Sequence, residues 1–173
     1  MPITQTFIES TLHLRELSKF SRTLSESYLE RVRATIRDII ADPRLLDRFE
    51  LQRNGGRYSR TLLFGDTRLS VWAILWPPGS QTCVHDHHCS CCFGVARGSL
   101  KEMWFRAVND KQAVLQAVAV REPGYVAAVL PTGPNIHQMI NDTDREALSV
   151  HIYGYDHTMQ SSSIRREYEV VAQ

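Results

Sequence analysis

The 173-residue sequence contains no apolar run near the ~18–20 residues that a bilayer-spanning helix needs. Its N-terminus, MPITQTFIESTLHL, lacks the basic-then-apolar order of a secretory leader. Neither sign of charge is in excess, with Lys+Arg 20 against Asp+Glu 19, so the basic surface of a nucleic-acid binder is missing as well. There are no internal repeats or low-complexity tracts. Cysteine is absent outside one stretch, CVHDHHCSCC at 83–92, which holds all four cysteines and three of the seven histidines. These absences predict a cytoplasmic protein without nucleic-acid or membrane partners, a monomer or small homo-oligomer acting on a small molecule. In a reducing compartment, four clustered cysteines are not by default two disulfides. A closed zinc knot is disfavoured too, because such sites use two short ligand pairs separated by a loop, and CSCC has no distal partner pair.

The length suits one domain over residues 1–173. Leu29, Val32, Ile36, Ile39 and Ile40 trace one helical stripe. Residues 11–50 are therefore expected to form a helical cap of two helices and a short third, with Ser25 as an N-cap. Asp42-Pro43 should end the second helix, since the residue before proline is pushed out of the α region. From Arg57 onward, short runs of Val, Leu, Ile, Trp and Tyr are broken by FGD, WPPGS, ARGS, VND, REPG, LPTGP and NDTDRE. This texture predicts eight to ten strands over 57–173, a mainly β barrel or double-sheet jelly roll, with SSSIRREYEVVAQ supplying the last strand.

Two segments carry metal-ligand spacing. In the first, Gly79 is followed after five residues by His85-Asp86-His87, then three residues, Cys91, six residues and Gly98. In the second, Pro131, Gly133, His137 and Asn141 follow in PTGPNIHQMIN. They resemble the two motifs of cupin-type double-stranded β-helix (jelly-roll) barrels, with Cys91 standing where a carboxylate ligand is usual. Residues i and i+2 of a strand point to one face, so His85 and His87 look inward together, and His137 can complete a three-nitrogen facet. Imidazole suits zinc, copper, iron and nickel alike. Three neutral ligands leave the double charge uncompensated, which favours an anionic substrate. His13, His88 and His157 match no motif and are read as ordinary histidines, and Cys83, Cys89 and Cys92 as packing thiols.

Four separated segments resemble the thiol dioxygenases of the cysteine dioxygenase type I family, its bacterial members in particular. YSRTLLF offers Tyr58 and Arg60; HDH with CFGVARGSLKE offers two ligands and Cys91; IHQMIN offers His137; SVHIY offers Ser149, His151 and Tyr153. Strand parity is consistent with this, because Tyr58 shares a face with Arg60, and Ser149 with His151 and Tyr153, while Val150 and Ile152 point away. The resemblance implies mononuclear Fe(II) on His85, His87 and His137, with O2 as co-substrate and a sulfinic acid as product. It further implies that Arg60, supported by Tyr58, binds the substrate carboxylate, and that Ser149 and His151 orient a catalytic Tyr153. Members with cysteine at the place of Cys91 carry a thioether to the tyrosine, which implies Cys91–Tyr153; the loop before Cys91 is one residue short, so Cys92 is a rival. The proline pair usual after that tyrosine is replaced by YGYD.

Arg60 points to L-cysteine as substrate. The alternative is 3-mercaptopropionate, with Arg165 or Arg166 in the arginine's role. Two non-dioxygenase readings stand beside these: a non-catalytic metal-binding cupin that senses a small acidic effector, and a thiol redox sensor built on the cysteine cluster.

Overall fold

No glycine or proline occurs between Ile3 and Asp42, and this stretch forms one helix, α1 (Ile3–Ala41). The computed structural model describes residues 3–131 and 135–172; Gly133 of the second motif lies outside the described residues. The expected split into two helices and a short third, capped at Ser25, is corrected here. Ser25 lies inside α1, because a serine alone does not break a ladder that neither a missing N–H nor a flexible backbone interrupts. Asp42-Pro43 does end the helix. A four-residue α2 (Pro43–Leu46) follows, with Asp42 Oδ1 accepting the Arg44 amide at 3.0 Å. Among the described residues no helix is long and apolar enough to cross a membrane.

Ten strands follow: β1 (Ser59–Gly65), β2 (Ser70–Trp76), β3 (Val84–His87), β4 (Cys91–Arg97), β5 (Leu100–Ala107), β6 (Gln112–Arg121), β7 (Val126–Val129), β8 (His137–Ile140), β9 (Ala147–Tyr153) and β10 (Ile164–Val170). They form two five-stranded sheets. One has the order β1-β2-β9-β4-β7; the other runs β10-β3-β8-β5-β6 and is closed by a β6–β10 pairing. The chain is thus mainly β, a cupin-type double-stranded β-helix barrel with an N-terminal helix, as its turn punctuation indicates.

The helix lies on the outer face of the first sheet. Val32 and Ile36, both buried, pack against Val71, Ala73, Cys92, Val150 and Ile152. This cover lets β9 be buried on both faces. Its apolar residues face α1, and its polar residues face the interior. The approach is close at one point: a Cβ on Gly94 would run into the side chain of Ile36 and press on Ile40. The second sheet is secured by the outward residue of the His-Asp-His run. Asp86 is buried and accepts the Arg166 amide at 2.9 Å and the Tyr168 hydroxyl at 3.2 Å, and pairs with Arg165 at 2.6 Å.

The Gly94 contact yields a test. Gly94→Ala should destabilise the fold by about 1–3 kcal/mol, the ordinary cost of overpacking. Adding Ile36→Ala should give a double variant less destabilised than the sum of the singles, as read from urea unfolding. Strict additivity would show that the two residues do not share this contact.

Candidate metal centre

The three motif histidines converge. His85 and His137 are directly paired across β3 and β8, and His87 follows His85 by one strand period. All three are buried, with potential ligand atoms within 4.8 Å of one another. Each ring has its Nδ1 engaged. His85 Nδ1 donates to the Cys83 carbonyl at 3.0 Å, His87 Nδ1 hydrogen-bonds Ser163 Oγ at 3.1 Å, and His137 Nδ1 donates to Glu102 Oε1 at 3.0 Å. That leaves the Nε2 atoms for the centre. Those of His87 and His137 lie 3.1 Å apart, where two lone pairs repel unless a proton or a cation sits between them.

Burial, reinforced by the neighbouring His137, lowers His85 to about 3 and His87 to about 2. Both are neutral at physiological pH and present lone pairs. Three buried, pre-oriented imidazoles fit a divalent first-row metal.

Opposite them, β9 and β2 supply a hydrogen-bonded chain. The Trp76 indole N–H donates to Ser149 Oγ at 2.8 Å, Ser149 Oγ is 2.9 Å from His151 Nε2, and His151 Nδ1 is 3.1 Å from the Tyr153 hydroxyl. With the indole as a fixed donor, the serine hydrogen points to Nε2, so Nδ1 carries the ring proton and donates to Tyr153. The Tyr153 hydroxyl hydrogen then points away from His151, on the side where Ser163 and the cavity lie. His151 is held neutral, lowered to about 3 by burial first and then by His137, His85 and Arg60. Burial also holds the Tyr153 phenol well above its usual range.

His85, His137, His151 and Tyr153 line one cavity of about 90 Å³ together with Tyr58 and Arg60, a space fit for a very small molecule. Tyr58 and Arg60 also line a wide cleft outside it, so they stand at its mouth. Tyr58 stacks on Trp76 at 5.1 Å. Arg60 donates to the Ser161 carbonyl at 3.1 Å and lies over the Trp72 ring at 5.2 Å. Among the described residues it has no carboxylate partner. Arg165 and Arg166 are placed elsewhere. They pair with Asp86 and with Asp110 (2.6 Å) and line a different groove beside Trp104.

Cys91 is the direct cross-strand neighbour of Tyr153 and packs in one cluster with it. Cys92 faces the other way, into the core under α1, which removes it as a rival. All four cysteines are free thiols. Burial raises Cys83 and Cys89 to about 11 and Cys92 to about 12.

Trp76, Glu102 and Ser163 are site residues that motif reading missed. Glu102 had a visible signal: in SLKEMWF it shares strand parity with Leu100, and a carboxylate on an inward face needs a partner. Ser163 had none, because it lies in a loop.

A match to the model of the family cysteine dioxygenase type I covers residues 5–161. The chain belongs to that family, whose members are thiol dioxygenases, and it carries a three-histidine cluster able to hold a metal. Solved structures similar to it include an uncharacterized conserved protein with a double-stranded β-helix domain from Klebsiella pneumoniae, at 14% identity and TM-score 0.54, over 72% of this chain and 95% of that one. Another is a sugar phosphate isomerase from a cupin superfamily from Silicibacter pomeroyi, at 23% identity and TM-score 0.49, over 63% and 73%. The first likeness concerns the fold alone.

The buried histidines set a pH dependence. Their folded-state values lie below the ordinary 6.5, so between about 3 and 6.5 the unfolded chain binds protons that the folded chain does not. Stability is therefore full above pH 6.5 and declines as pH falls. The urea midpoint of metal-free protein should be lower at pH 5.5 than at pH 7.5. An unchanged midpoint would mean these rings take up protons in the fold as readily as in the unfolded chain.

Proposed function

We propose that the protein is an Fe(II)-dependent dioxygenase that converts L-cysteine and O2 into cysteine sulfinic acid. The observation that carries this reading is Arg60, a cation without a carboxylate partner among the described residues, at the mouth of the small cavity that the histidine cluster and Tyr153 share. His85, His87 and His137 would hold the iron. When bound, it supplies the activation of thiol and dioxygen. Both oxygen atoms end on sulfur, so RSH + O2 gives RSO2H without a further reductant.

The chain's own residues do the rest. Arg60 takes the substrate carboxylate in a charge-assisted, bidentate pair, and Tyr58, fixed against Trp76, shapes the entrance beside it. Tyr153, held as acceptor by His151, directs its hydroxyl hydrogen at the ligand. A phenol with so high a pKa donates a hydrogen bond and keeps its proton. Cys91 and Tyr153, side by side on β4 and β9, form a thioether. One C–H and one S–H hydrogen are lost with their two electrons to O2, which is reduced to hydrogen peroxide.

The engagement of Arg165 and Arg166 with Asp86 and Asp110 favours L-cysteine over 3-mercaptopropionate. The raised thiol pKa values weigh against a redox sensor, since the thiolate is the reactive form. Membership of a dioxygenase family weighs against a purely binding role.

Oxygen consumption by Fe(II)-loaded protein should be faster with L-cysteine than with 3-mercaptopropionate. Arg60→Ala should lose roughly 30- to 1000-fold in kcat/KM for L-cysteine, about 2–4 kcal/mol, and change little with cysteamine, which has no carboxylate. A wild-type-like Arg60→Ala enzyme would defeat the assignment. The Cys91–Tyr153 bond should appear as a mass deficit of about two hydrogens, absent from Cys91→Ala. Unmodified mass after many turnovers would exclude it.

A further inference from the structure

Among the described residues, His137 is the one of the three histidines facing the candidate metal that has a charged partner. His85 leans on a backbone carbonyl and His87 on a hydroxyl, whereas His137 Nδ1 meets the carboxylate of Glu102 at 3.0 Å. Glu102 is fully buried and divides its oxygens between two tasks. Oε1 accepts from His137, and Oε2 accepts from Arg121 Nε at 2.7 Å. Arg121 is itself largely covered and lies over the Tyr125 ring at 4.2 Å.

A buried ion pair is a poor device for stability, because an apolar pair of similar volume commonly serves the fold as well or better. Its position suggests another use. Glu102, Cys91 and His137 line one small cavity behind the histidine cluster. Cys91 occupies the motif place where a carboxylate ligand is usual; of the two buried carboxylates nearby, Asp86 is engaged outward by β10, and Glu102 meets the cluster at His137.

We infer that Glu102 is a positioning residue that delivers a carboxylate's negative charge to the metal through His137, fixing that ring's tautomer and making it the strongest donor of the three. Arg121 holds the carboxylate in place. An anionic acceptor on Nδ1 raises imidazole basicity, and loss of such a partner typically weakens metal affinity about 10–100-fold. The inference rests on the three-histidine metal reading. It concerns the strength of one ligand, not the substrate.

The test uses Co(II) as probe, titrated into the full-length metal-free protein against a chelating competitor. Glu102→Gln removes the charge but leaves Arg121 unpaired. The double variant Glu102→Gln with Arg121→Gln removes both charges at nearly constant volume and keeps the test open if the single variant folds poorly. The double variant should bind Co(II) about 10–100-fold more weakly than wild type, with a metal-free thermal midpoint within a few degrees of it. In proton NMR of the Co(II) protein, the shifted, exchangeable Nδ1–H signal of His137 should move and exchange faster, while that of His85 stays in place. Unchanged Co(II) affinity in both variants would overturn the inference alone. So would a loss of affinity matched by a collapse of the metal-free fold and a disturbance of all ring signals. Failure of wild-type protein to take up Co(II) would overturn the metal site together with it.

Discussion

A buried imidazole has two nitrogens to satisfy, and the second depends on what the first has found. In this barrel each Nδ1 of the triad meets its acceptor or hydroxyl partner outside the centre, so the ring has only its Nε2 left to offer inward. The outer partners therefore fix the site before any ion arrives. Burial keeps His85 and His87 neutral. Orientation and protonation state, the two properties a ligand must have, come from the same desolvated surroundings.

The opposite wall obeys the same constraint by different means. Ser149, His151 and Tyr153 are all buried, and their polar atoms are satisfied in series from the Trp76 indole onward. Such a chain is tolerable inside a barrel only because every link has a partner. It is possible on β9 because α1 covers the other face of that strand, where Val150 and Ile152 join the core. Among the described residues, the helix does not line the cavity. It releases one face of a central strand from making the core and leaves that face for polar chemistry.

Much of this was legible in the sequence. The strand succession was marked by turn residues. The inward histidines followed from alternation, and so did the shared face of Ser149, His151 and Tyr153. The division of the cap was misread because Ser25 has the chemistry of a cap, while the absence of glycine and proline across residues 3–42 carried the greater weight. The choice between Cys91 and Cys92 is a matter of strand parity relative to β9, and parity is uncertain across a short loop until the register Cys91↔Tyr153 is known. Ser163 becomes a partner of His87 through a contact 76 residues apart in sequence, which no local pattern announces.

The outward residue of the His-Asp-His run has a consequence for the order in which this protein is made. Asp86 is fastened to Arg165, Arg166 and Tyr168 of β10, and β3 lies between β8 and β10. During synthesis the strand bearing two ligands leaves the ribosome about eighty residues before the strand that anchors it. At the ordinary pace of ~5–20 residues per second, that is a delay of several seconds. Through that interval β3 can pair with β8 on one side, but its other edge stays open and Asp86 still lacks its partners on β10. The three-histidine pocket is accordingly complete only when β10 closes the ring, and not when its first two histidines appear.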